Sequence, residues 1–132
     1  MKKQILIIAF FVSCVTSMMA EGIKFVEEKT FDEALSEAKK ENKMLFVDCY
    51  TSWCGPCKMM ATKVFTQDKV GEYFNARFVS IKIDMEKGEG PAMKDKFGVK
   101  AFPTFLFLDG TSWAVTLMPM PSSRQCRQVL AR

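Results

Sequence analysis

The sequence contains no histidine. That removes the side chain most often used as a metal ligand, a general base or a switch near neutral pH. It also lacks a second CxxC or a histidine pair, so the cysteines that are present cannot complete the four-ligand set that zinc prefers. No block of Lys or Arg stands out. The net charge of +4 is modest and interleaved, which leaves no electrostatic footprint for nucleic acid. No nucleotide-binding motif and no internal repeat is present. The apolar run "ILIIAFFV", from Ile5 to Val12, is much shorter than the roughly 20 residues of a membrane-spanning helix.

What is there is a chain of 132 residues, close to half of them apolar, enough for one small domain with its own core. Residues 1–20 read apart from the rest. Lys2 and Lys3 precede the apolar run, and small and polar residues follow as far as Ala20. This order is that of a secretory signal, and it predicts an exported protein, periplasmic or secreted. Cleavage after Ala20 would leave a domain over residues 21–132, although Met18 is larger than the residue usual three positions before such a cut. The alternative is lipidation at Cys14, since "FVSC" is similar to a bacterial lipobox except that Phe11 stands where Leu is usual. Ordinary cleavage is the expectation.

Of the five cysteines, only Cys54 and Cys57, in "WCGPCK", share a short motif spacing. Two cysteines so placed can hold a metal, close a structural bridge or pass electrons. The metal lacks its other ligands, because Cys49 sits in an apolar strand and reads as a small buried hydrophobe. A structural bridge suits an exported chain, yet closing so short a loop removes little entropy from the unfolded state. Redox use needs a stabilised thiolate, and the local pattern supplies one.

That pattern runs as follows. "TFDEALSEAKKENK" predicts a helix capped by Thr30, with Glu33 completing a capping box, an apolar face of Phe31, Ala34, Leu35 and Ala38, and an end near Asn42. "MLFVDCY" reads as a buried strand. After "TSWCGPC" a helix is predicted from Lys58 to about Phe65, then another capped by Thr66 with Val70, Tyr73 and Phe74 on one side. "FVSIKID" alternates as a strand, and "PAMKDKFGV" is a short helix with Pro91 in its first turn and Gly98 at its end. "TFLFLDG" is a further buried strand closed by Asp109-Gly110. This order points to an α/β sandwich around a mixed sheet. Cys54 thus falls at a helix N-terminus, where free N–H groups and the helix dipole favour a thiolate. Cys57 lies one turn further, on the same side and facing inward. Pro56 is tolerated in a first turn, and Trp53 gives the exposed sulfur an apolar flank.

"FVDCYTSWCGPCK" resembles the active-site segment of thioredoxins, including an acid six positions before the first cysteine. "KAFPTFLFLDG" is similar to their second signature, a cis-proline followed by Thr and a buried strand. The likeness extends loosely from Phe25 to Gly110 and is nearest to exported thioredoxin-like proteins and the periplasmic domain of transmembrane electron conduits. It implies a thioredoxin fold and a thiol–disulfide oxidoreductase that reduces protein disulfides without cofactor or metal. Cys54 matches the attacking cysteine, Cys57 the resolving one, and Asp48 the buried acid that helps take a proton from the resolving thiol. In an apolar strand Asp48 should be buried, with a raised pKa. Pro103 matches the cis-proline, whose exposed backbone can pair with a substrate strand. Gly55, Pro56, Phe102 and Thr104 complete the site, and Phe102 would tune its potential. Thioredoxins often carry a lysine near the buried acid. Aligned through Asp84, Lys82 lies two residues later than that lysine, which counts against its pairing with Asp48. The implied partners are disulfide-containing proteins and a reductant protein, free or membrane-bound, and the chain is expected to be a monomer. An oxidant, an isomerase or a non-catalytic module of the same fold are the alternatives.

Residues 111–132 are atypical. "SWAVTLM" is a candidate strand, and Ser122 or Ser123 a cap for a short helix with Cys126, Val129 and Leu130 on one face. The glycine that thioredoxins place near the active site is missing around Met118. "MPMP" requires the codons ATGCCNATGCCN, which one base earlier encode alternate alanines. A frameshifted or truncated tail is therefore one expectation for this segment.

Overall fold

The computed structural model describes residues 21–27 and 29–109. The expected signal at 1–20, Cys14, the tail from 111 and Cys126 lie outside the described residues. Helix α1 spans Phe31–Lys40 and strand β1 Met44–Tyr50. Helix α2 spans Gly55–Met59 and runs on into a wider π-helical turn, Met60–Val64. Helix α3 (Asp68–Arg77) leads into β2 (Phe78–Asp84), then α4 (Gly90–Phe97) and β3 (Thr104–Leu108). The expected order of elements is the observed one.

The local chemistry explains most boundaries. Thr30 caps α1 through a full capping box with Glu33, and Lys39 and Lys40 occupy its last turn, where they complement the helix dipole. Asn42 then turns the chain at φ 53°, a left-handed conformation that Asn tolerates. Gly98 ends α4 at φ 63°, as a C-terminal glycine should. Two expectations need correction. The helix after the cysteine motif starts at Gly55 rather than Lys58, because Pro56 fits its first turn and Cys54 itself serves as the N-cap. The N-cap of α3 is Gln67, not Thr66. The Thr66 hydroxyl instead donates backwards to the Thr62 carbonyl at 3.0 Å, a local bond that competes with capping.

The sheet order is β2-β1-β3, with β1 parallel to β2 and antiparallel to β3. A parallel neighbour requires a crossover, and α2 and α3 supply it. Phe25 adds a parallel bridge to Ser80 on the outer side of β2, and the Val26 N–H donates to the Ser80 carbonyl at 2.8 Å.

Both faces of β1 are covered, which is why it reads as a continuous apolar run. Leu45, Val47 and Cys49 join Val79, Ile81, Leu106 and Leu108 under α1 and α4. Phe46 faces the other way, into an aromatic cluster with Phe65, Phe74, Phe105 and Phe107. Its ring lies 4.8 Å from Phe74 and 5.2 Å from Phe107 between centroids, within the range of favourable ring pairs. Val70 and Phe74 belong to this cluster, whereas Tyr73 is exposed and carries Arg77 over its ring. Among the described residues no helix is long and apolar enough to cross a membrane.

Candidate active site

Strand β1 ends at Tyr50, and the next four residues turn the chain into α2. This short turn places Cys54 at the helix N-terminus and Cys57 in its first turn. The two form a disulfide, with Cα atoms 5.3 Å apart. The Cys57 N–H points at the Cys54 sulfur from 3.1 Å, and the Cys54 carbonyl accepts from the Lys58 N–H at 3.2 Å. The cap is therefore the redox-capable sulfur itself. Contrary to the expectation of an exposed sulfur, Cys54 is only 3% exposed and Cys57 4%. The first turn of α2 folds both residues against the domain. Trp53, by contrast, is 64% exposed.

Asp48 is 1% exposed. On a strand, side chains alternate between faces, so its carboxyl lies on the Phe46 side of the sheet. The residues that continue the helix beyond Cys57 (Met60, Ala61, Val64) pack on that side. Desolvation raises its pKa from 3.8 to about 6, against a smaller lowering by the Lys82 charge. Its Oδ1 has no hydrogen-bond partner among the described residues.

Lys82 does pair with Asp48. The strands are in register at Asp48↔Lys82, and the ammonium nitrogen lies 4.0 Å from Oδ2. The register across parallel strands decides this pairing. Ser80, two residues earlier, stands opposite Phe46 instead, with its hydroxyl buried. The Lys82 ammonium also lies 4.9 Å from the centre of the Phe25 ring.

The Phe102–Pro103 peptide bond is cis. Pro103 is buried just before β3, and Thr104 pairs with Cys49 and donates its hydroxyl to the Ala101 carbonyl at 2.7 Å. Phe102 meets the Trp53 ring edge-on, 6.0 Å between centroids. Gly55 opens α2 in free space, where an added methyl would touch nothing within 4 Å. Cys49 lies on the opposite face of the sheet, fully buried. Burial, helped by the Asp48 charge, pushes its thiol up to about 12, so it stays protonated and inert. No group of three or more Cys, Asp or Glu among the described residues is placed to hold a metal ion.

Two residues near the motif went unread in the sequence. The Trp53 indole N–H donates to the Glu86 carboxylate at 3.0 Å, and Lys94 extends its ammonium over the Phe102 ring, 5.8 Å from the centroid. Both sit in polar stretches whose charges look alike on paper. Only the approach of the β2–α4 loop and α4 to the motif distinguishes them.

The comparisons agree with this geometry. The thioredoxin family model matches residues 22–123. The solved structure of a proposed disulphide-isomerase from Bacteroides thetaiotaomicron is 42% identical, covers 84% of this chain and 93% of its own, and superposes with a TM-score of 0.64. A thioredoxin from Thermus thermophilus is 25% identical, with 83% of each chain covered and a TM-score of 0.65. Thioredoxin Y2, chloroplastic, from Arabidopsis thaliana is 33% identical over 69% of this chain. That match covers 52% of the plant protein, and the chain spans about half the length of the curated relatives it matches. Over the mixed sheet, the helix-capping cysteine pair and most of its own length, the chain belongs to the thioredoxin family.

Proposed function

We propose that this chain is an exported thiol–disulfide oxidoreductase that reduces protein disulfides through Cys54 and Cys57. The observation that carries the reading is the Cys57 N–H aimed at the Cys54 sulfur from the first turn of α2. A backbone N–H and a helix dipole at that sulfur favour its thiolate, the species that attacks. In the reduced protein the Cys54 thiolate attacks one sulfur of a substrate disulfide. A mixed disulfide forms and the other substrate sulfur leaves as a thiolate. Cys57 then gives up its proton and attacks the Cys54 sulfur. The second substrate thiol is released and the Cys54–Cys57 disulfide forms, so two electrons pass to the substrate. Asp48, with a proton affinity near 6, is ionised at neutral pH and suits the role of proton acceptor for Cys57. Pro103 and Thr104, with Trp53 and Phe102, shape the docking of the substrate.

Export rests on Lys2, Lys3 and the Ile5–Val12 run. An exported domain needs a reductant protein to restore the dithiol, and a membrane reductant fits that location. We read the chain as a monomer. The reducing direction rests on the resemblance of the Trp53 and Gly55-Pro56 surroundings to thioredoxins. A second reading, an isomerase, is favoured by the 42% identical neighbour.

The test is a reduction potential together with a disulfide-reduction assay on the wild type, Cys54→Ser and Cys57→Ser. A potential of about −270 mV fits a reductant, and one of about −120 mV an oxidant. Cys54→Ser should abolish reduction, and Cys57→Ser should trap substrate as a mixed disulfide. Undiminished reduction by Cys54→Ser refutes the mechanism. Reactivation of a scrambled multi-disulfide protein, faster than its net reduction, would favour the isomerase.

A further inference from the structure

Three successive contacts link four side chains into a row through Trp53, the chain neighbour of Cys54. The Glu86 carboxylate accepts from the Trp53 indole N–H at 3.0 Å. The Trp53 ring meets the Phe102 ring at 6.0 Å, and the Lys94 ammonium stands 5.8 Å from the Phe102 centroid. The row is polarised, with an acid at one end, two rings in the middle and a cation at the other. Its two charged ends differ in one respect. Glu86 is already engaged by Trp53, whereas none of the ion pairs among the described residues involves the Lys94 ammonium. A lysine held over a ring keeps its charge available and is attracted to the ring face.

We infer that Lys94 is a specificity residue that receives an acidic side chain of the substrate, while Phe102 and Trp53 receive an apolar one nearer the scissile disulfide. This rests on the reading of the chain as a disulfide reductase. The steps along the row match one partner in particular. Alternate side chains on one face of an extended strand lie about 6.8 Å apart, close to the 5.8 Å from the Phe102 ring, where the apolar side chain sits, to the Lys94 ammonium. The occupant is therefore an extended protein segment with an apolar residue beside its cysteine and Asp or Glu two positions beyond. A basic residue there would face the Lys94 ammonium and be rejected, and repulsion of this kind sharpens specificity. Because the contact is made at an exposed rim, it acts on encounter more than on chemistry and weakens with salt.

The test uses the full domain, pre-reduced and freed of reductant, reacted in single turnover with three peptide disulfides. They differ only in carrying Glu, Gln or Lys two positions beyond the apolar residue. Wild type should react with the Glu peptide roughly 5- to 10-fold faster than with the Lys peptide at low ionic strength, the size of an exposed charge effect. The ratio should fall toward one in about 1 M salt. Lys94→Gln should remove the preference and Lys94→Glu reverse it, while Lys69→Glu, an equal change of net charge on α3, should retain it. The ratio of Glu to Gln peptide within each variant reports the preference independently of any loss in overall rate. An unchanged ratio in Lys94→Gln and Lys94→Glu overturns the inference, as does a loss of the ratio in Lys69→Glu. If wild type reduces none of the peptides nor a small uncharged disulfide, the reductase reading itself fails. Reduction of all four without preference sinks the Lys94 role alone.

Discussion

Lys82 stands directly across from Asp48 on adjacent parallel strands, its ammonium nitrogen 4.0 Å from the carboxylate Oδ2. The lysine is a third exposed and the acid almost wholly buried, so the pair spans the boundary between solvent and core. Burial favours the neutral carboxyl and the lysine favours the charged one. The balance leaves Asp48 near 6, above its ordinary value. Lys82 thus limits a rise that burial alone would make larger. In Lys82→Met the Asp48 proton affinity should move further up. Carboxyl-carbon NMR of the oxidised protein across a pH titration reads this directly. An unmoved midpoint would show that the 4.0 Å approach carries no coupling.

The raised Asp48 value also sets a stability profile. The folded carboxyl holds its proton up to about pH 6, while the ordinary value in an unfolded chain is 3.8. Folding therefore takes up a proton between these values. Stability is highest below pH 3.8 as far as this group is concerned, falls as pH climbs to 6, and stays level above. Asp48→Asn removes the penalty. The variant should be more stable than wild type by roughly 2–3 kcal/mol at pH 7.5, with the gain gone below about pH 4. Denaturant unfolding at the two pH values measures it. A gain independent of pH would point to packing instead of charge.

The Lys82–Asp48 pair and the contacts of Glu86 and Lys94 escape the sequence for one cause. The strands are legible because β1 and β3 carry apolar runs and β2 alternates apolar with polar residues, and α1 because Thr30 and Glu33 announce its start. The cysteine pair, the acid and Pro103 were legible because they lie within short contiguous stretches. Separation along the chain counts against the Lys82–Asp48 pair, whereas the contact depends on how β1 and β2 align, with Met44 opposite Phe78. Glu86 and Lys94 were invisible for the same reason. Nothing in a polar loop or on a helix face states which charge will meet Trp53 or Phe102. The exposure of Tyr73 is similar, since one helix face offers three apolar residues and packing takes only two.

Gly71 in α3 allows the segment before α1 to lie against the helix. An added methyl there would collide with the backbone of Glu21 and Gly22. That segment is also pinned by Asn75, whose side chain accepts from the Lys24 N–H at 2.9 Å and donates to the Gly22 carbonyl at 3.1 Å. Gly71→Ala should therefore destabilise the fold by about 1–3 kcal/mol, against the gain that alanine normally brings to a helix. Gly55→Ala, with open space around the new methyl, should cost no stability. Thermal unfolding of the two variants side by side separates backbone collision from a general intolerance of glycine replacement. Equal stability of both would contradict the close approach at Gly71.

Glu89 ties the two helices on the other face of the sheet. It precedes α4, and its carboxylate accepts the Phe31 N–H at 2.8 Å. That N–H belongs to the first turn of α1, one of the donors a helix leaves without an internal partner. Thr30 and Glu33 satisfy donors of the same turn from within α1, whereas Glu89 reaches it from 58 residues away. The bond is charge-assisted and partly buried, so its loss strands a donor as well as removing an attraction. Glu89→Ala should cost about 1.5–3 kcal/mol, and Glu89→Gln, which keeps an acceptor oxygen, less than half of that. Because α4 carries Lys94 and leads into the Phe102–Pro103 bond, the same loss should loosen this side of the site. Amide hydrogen exchange of Phe31 and of residues 90–97 in Glu89→Ala reads both effects. Faster exchange at Phe31 with no change along α4 would confine Glu89 to a cap for α1 and remove its role in holding the docking row.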